Sequence, residues 1–80
     1  MDSDQAILCL AALAQPTRLE AFRLLIRYEP SGLAAGEISR LLAIPQNTMS
    51  AHLSVLARAK LIGGDRQSRS IIYRANLTEF

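Results

Sequence analysis

Between Asp4 and Ala14 the chain is apolar at almost every position, through the run Ala6-Ile7-Leu8-Cys9-Leu10-Ala11-Ala12-Leu13. The run predicts a helix that is apolar nearly all round, and such a helix must be covered on every side. Gln15-Pro16 ends it. Pro16 suits the first turn of a second helix, where its missing N–H has no intrahelical partner to lose. Leu19, Phe22, Leu25 and Ile26 then recur at helical spacing until Pro30-Ser31-Gly32 break the pattern. A third, shorter helix is expected from about Ala35 to Leu42 with Ile38, Leu41 and Leu42 turned inward. After the tight connection Ala43-Ile44-Pro45, a fourth runs from about Gln46 to Ala59, with Met49, Leu53 and Leu56 along one side. Two short helices joined this closely form a helix-turn-helix unit.

Beyond Lys60 the texture changes. Leu61-Ile62 and Ser70-Ile71-Ile72-Tyr73-Arg74 are rich in β-branched and aromatic residues and flank the polar stretch from Gly63 to Arg69. That pattern predicts a β-hairpin with Arg66 and Arg69 at a basic tip. Asn76 is placed to cap a last helix beginning at Leu77 and cut short at Phe80. The expected fold is mainly α with a small β-hairpin (α+β), in the order ααααββ with a truncated final helix. It is one winged helix-turn-helix domain over residues 1–80.

Composition narrows the picture. A chain of 80 residues buries only about 60% of the surface its unfolded state exposes, so a second copy could supply burial that one copy lacks. The aromatic residues are Phe22, Tyr28, Tyr73 and Phe80, with no Trp, which leaves an aliphatic core. The single Cys9 excludes an internal disulfide framework and fits a reducing cytoplasm. No apolar run approaches the ~20 residues of a membrane span. The opening Met-Asp-Ser-Asp is acidic where a signal peptide is basic. A soluble cytoplasmic protein is expected. An enzyme is not: the lone His52 has no Cys–His or Ser–His–Asp set around it, and no Gly-rich phosphate loop is present. No cofactor is expected either.

The net charge of +2 hides an asymmetry. Residues 1–30 carry three arginines against four carboxylates, whereas residues 40–74 carry Arg40, Arg58, Lys60, Arg66, Arg69 and Arg74 against Asp65 alone. A basic half suits a protein that lays one face on phosphates, and it equally suits a solvated surface. The fourth helix adds to the first reading. At ~100° per residue, the side opposite Met49, Leu53 and Leu56 carries Asn47, Ser50, Ala51, Ser54 and Arg58, with Gln46 and Thr48 in the first turn. Small polar residues can approach a major-groove floor, with Asn and Ser bonding base edges and Ala touching a thymine methyl. Arg66 and Arg69 suit phosphate or minor-groove contact. His52, at the border of the apolar side, is expected to pack. Cys9, in so apolar a helix, is expected to be an inert core residue.

Pro16-Thr17-Arg18-Leu19, Gly36-Glu37-Ile38, the run from Pro45 to Leu56 containing Ser50-Ala51-His52-Leu53-Ser54-Val55-Leu56, and Leu61-Ile62 together resemble the ArsR/SmtB family of bacterial repressors over roughly Leu8 to Tyr73. The resemblance implies a homodimer on a palindromic operator, released by an inducer that stays unknown. It also implies a dimer interface made by the first and last helices, which on the first helix falls on Ile7, Leu10 and Ala11. Double-stranded DNA and a second copy are therefore the expected partners, with no membrane. The family's thiolate metal motif falls here on Ala34 and Gly36, so no metal site is expected. Ala43, Lys60 and Ser68 stand where glycines are common in the family. A winged helix that docks on protein rather than DNA is the alternative, since a fold does not dictate its use.

Overall fold

The computed structural model describes residues 2–77. Helix α1 (Ser3–Leu13) starts at Asp2, whose carboxylate accepts the Gln5 N–H at 2.8 Å. Helix α2 (Pro16–Arg27) starts at Gln15, whose side-chain oxygen accepts the Arg18 N–H, with Pro16 in the first turn. The Pro-Thr-Arg segment thus has a structural task at this corner. Arg18 Nε also donates to the Ala12 carbonyl at 2.7 Å, satisfying an oxygen that the end of α1 leaves without a helical partner. A strand not anticipated from sequence, β1 (Leu33–Ala34), precedes α3 (Ala35–Leu42). Then come α4 (Gln46–Arg58), β2 (Ile62–Gln67) and β3 (Ser70–Ala75).

The three strands form an antiparallel sheet in the order β1-β3-β2. Leu33 pairs with Tyr73, and the hairpin registers Ile62 on Ala75, Gly64 on Tyr73 and Arg66 on Ile71. The hairpin is longer and tighter than expected: strands run through most of the polar stretch, leaving a two-residue loop of Ser68 and Arg69. Arg66 therefore lies on strand β2, not at the tip. β1 is two residues long, too short to show an alternation, and exists because β3 offers it an edge.

The core is one aliphatic cluster, in which Leu25, Ile38, Met49, Leu53, Leu56 and Leu61 are the largest fully buried side chains. Inward assignments on two helices are corrected. Leu41 is 46% exposed, and Ser39 is buried on α3 instead. The covered arc of α3 runs through Ile38, Leu42 and Ser39, and Leu41 lies ~60° beyond its edge at Ile38. On α2 the buried arc is Ala21, Phe22, Leu24 and Leu25, which turns Leu19 and Ile26 to the outside. The anticipated apolar side of α4 is buried at Met49, Leu53 and Leu56. His52 is half-buried beside them.

Helix α1 is covered on one side only. Cys9 and Ala12 face the core, while Ile7 is 63% and Leu10 68% exposed. Cys9 Sγ donates to the Ala59 carbonyl at 3.4 Å, and Gln5 Nε2 donates to the same oxygen. Both ties hold α1 against the end of α4. At the same end of α4, Asn76 Nδ2 donates to the Lys60 carbonyl at 3.1 Å. A last helix continuing from Leu77 falls outside the described residues.

Candidate nucleic-acid interface

Helix α4 is held by its buried stripe with its opposite side open. Gln46, Asn47, Thr48, Ser50, Ala51, Ser54 and Arg58 are all exposed. The turn before it is set by Ala43, which adopts the left-handed conformation (φ 56, ψ 43) while Ile44 N–H reaches back to the Ser39 carbonyl at 3.0 Å. This six-residue return closes α3 and turns the chain into α4. The end of α4 repeats the device: Lys60 has φ 64, and Leu61 N–H donates to the Leu56 carbonyl at 3.0 Å. Asn47 Oδ1 accepts the Thr48 N–H at 2.9 Å, which occupies its oxygen and leaves its amide nitrogen as the donor available to a base edge.

The wing faces the first half of α4 across a gap. A cleft of about 290 Å3 is lined by Gly36 on α3, Gln46 and Ser50 on α4, and Arg69 and Tyr73 on the hairpin. Three residues anticipated from sequence therefore meet in one place. Strand alternation sorts the remaining charges. Arg66 shares a sheet face with Gly64, Ile71 and Tyr73, whereas Asp65, Ile72 and Arg74 share the other. The wing's one carboxylate is thereby kept on the face away from Arg66.

Two arginines of the basic half stand apart. Arg74 is committed to Glu29, with Nε–Oε1 at 3.1 Å and Nη2–Oε2 at 2.9 Å. The hydrogen bond from Arg74 holds the Glu29 carboxyl below its ordinary value, with burial opposing and the arginine charge assisting. Arg58 is ~18 Å along the helix axis from Gln46 and lines a small cavity of about 170 Å3 with Leu8, Ala11, Arg18 and Val55. It sits beside the apolar side of α1, not with the wing. The Glu29–Arg74 pair joins residues too far apart in sequence for any local pattern to announce it. Gly36 carried no signal of its own beyond the family resemblance.

Among the described residues no group of three or more His, Cys, Asp or Glu side chains is placed to hold a metal ion. No helix among them is long and apolar enough to cross a membrane.

A helix-turn-helix whose second helix is open, flanked by a basic antiparallel hairpin, defines the winged helix-turn-helix class. Residues 13–62 match the family described as a helix-turn-helix domain. The chain is 31% identical over 78 residues to the transcriptional activator HlyU of Vibrio cholerae, covering 98% of this chain and 69% of that protein. The structure of HlyU superposes with a TM-score of 0.84 over 99% of this chain and 85% of that one, at 30% identity. A homodimeric winged helix-turn-helix DNA-binding domain of a possible ArsR-family regulator from Mycobacterium bovis gives 0.85, at 26% identity over 95% and 68% of the two chains. The transcriptional repressor BigR of Xylella fastidiosa gives 0.81, at 26% identity over 96% and 76%. The chain belongs to this helix-turn-helix family, as one of the ArsR-type winged helix-turn-helix transcription regulators.

Proposed function

We propose that this chain is a dimeric repressor that reads a palindromic operator in double-stranded DNA, acting in the cytoplasm by binding rather than by catalysis. The observation that carries the reading is the open side of α4, where Asn47, Ser50, Ala51 and Ser54 stand exposed opposite a fully buried stripe. A helix presenting such a side can enter a major groove, and two copies related by a two-fold axis place their helices in successive grooves about one turn apart. Arg66 and Arg69 extend the contact to the backbone from the wing, and the homodimeric relative supports the two-fold arrangement. Repression follows if the operator overlaps a promoter.

Selection of bound duplexes from a random pool tests this reading. The expected result is a palindromic motif. Asn47→Ala should cost roughly 1–3 kcal/mol in binding and relax preference at one base pair per half-site. A pool that yields no motif would refute DNA reading and leave protein docking as the use of the fold.

A further inference from the structure

A recognition helix in a major groove and a wing on the neighbouring minor groove are separated by one sugar–phosphate strand. That strand has to pass between the two elements. In this protein the space between them is the cleft bounded by Gly36, Gln46, Ser50, Arg69 and Tyr73. One wall carries a cation, Arg69, and the opposite wall carries the Gln46 amide. Between them Gly36, the second residue of α3, leaves the floor uncovered: a Cβ added there would meet only Gln46 Nε2, at 3.9 Å. Gln46 thus leans over the start of α3, to the wing side of Asn47 and Ala51, which point along the middle of the open face.

We propose that this cleft seats one phosphodiester of the strand dividing the grooves, held by Arg69 and the Gln46 amide, so that Gln46 fixes the helix on the backbone and does not read a base. The proposal rests on the DNA-reading role of α4 given above. Arg69 supplies a charge-assisted contact and Gln46 an uncharged donor. Such contacts set register and orientation without carrying sequence information. Arg66, one pair further from the stem than Tyr73 on the same face, does not line the cleft and keeps a separate contact.

The test uses the duplex recovered by selection. Gly36→Glu puts a carboxylate at the cleft floor, where its Cβ meets nothing closer than Gln46 Nε2 at 3.9 Å. Glu is a better helix former than Gly and is favoured in a first turn, so thermal stability should hold or rise. Affinity should fall roughly tenfold or more, about the value of one charge-assisted hydrogen bond together with new repulsion. In parallel, a set of duplexes carries a single neutral methylphosphonate at each successive backbone position. The wild type should lose roughly tenfold at one phosphate per half-site, and the Arg69→Gln variant should lose nothing further there. Gln46→Ala should weaken binding and leave the selected motif unchanged. Undiminished affinity of Gly36→Glu overturns the proposal. So does a methylphosphonate profile that is the same for wild type and Arg69→Gln, or a base preference altered by Gln46→Ala. Each of these outcomes leaves a motif and hence the DNA reading intact. Selection without any motif overturns both.

Discussion

Three residues without glycine's freedom occupy left-handed backbone: Ala43 at φ 56, Lys60 at φ 64 and Ser68 at φ 60. The first two close helices, and Ser68 opens the two-residue wing loop. All three stand where the family resemblance expects glycine, so the turn geometry persists after the residue best suited to it has been replaced. Each left-handed L-residue costs on the order of 1 kcal/mol relative to Gly. Ala43→Gly should therefore stabilise the domain by about 1 kcal/mol and raise its melting temperature by about 4–8 °C. DNA affinity should not change, because Ala43 touches neither the open side of α4 nor the wing cleft. Thermal unfolding followed by circular dichroism measures this, and a melting temperature that falls would show that Ala43 is unstrained. Gly32 is the converse case. At φ +74 a Cβ would lie 2.5 Å from the Tyr73 carbonyl oxygen, so no substitute fits without pushing β1 off β3.

At the level of elements, the wing is anchored more firmly than a free hairpin. Two-stranded ribbons alone are marginal in water, and β1 supplies a third strand. The Glu29–Arg74 pair adds a second anchor, tying β3 to the segment that follows α2. Because the folded carboxyl of Glu29 is held below the ordinary value of 4.5, the pair contributes stability that is fully present above about pH 4.5. That contribution is lost as pH falls through the lower folded value. Glu29→Gln should therefore lower stability at pH 7, by a small amount given how exposed the arginine is. The difference from wild type should close in strong acid, where the native carboxyl is also neutral. Urea unfolding at pH 7 and below pH 3 checks the sign. A gap that stays open at low pH would assign the effect to packing rather than to charge. The pair also subtracts Arg74 from the cations that a DNA backbone could recruit.

For the whole molecule, the most exposed large apolar side chains among the described residues are on α1. Ile7, Leu8 and Leu10 are each more than half exposed, and contiguous patches of that kind mark interaction surfaces on soluble proteins. A two-fold partner presenting the same side would cover the patch, since such a contact is self-complementary. Arg58, lying beside Leu8 and Ala11, stands at the edge of that face. Leu10→Glu should leave helical content and melting largely intact, because the residue makes little core contact. In the dimer it should bury an unpaired charge. Sedimentation should show the mass halved at concentrations where the parent is a dimer. A parent chain that remains a monomer at ~100 μM would place operator symmetry elsewhere.

The sequence by itself determined the four helices, their order, the tight turn between the third and fourth, the presence of a hairpin and the open side of α4. These follow from local quantities: helical periodicity, the punctuation of Pro16, Pro30 and Pro45, and the β-branched and aromatic residues that flank the polar stretch from Gly63 to Arg69. Which apolar residues stay outside was not legible. Leu41, Leu19 and Ile26 fit an inward helical spacing, and only the direction from which neighbouring elements arrive decides which arc is covered. Nor could the chain announce β1, because a two-residue strand is defined by the partner it finds. The wing cleft joins Gly36, Gln46 and Arg69 from three elements, and the Glu29–Arg74 pair spans 45 positions. Such juxtapositions carry no local periodicity, since they arise when the sheet folds back onto the helices. Tertiary packing alone placed Arg69 across from the start of α4, set Arg58 beside α1 and tied Arg74 to Glu29.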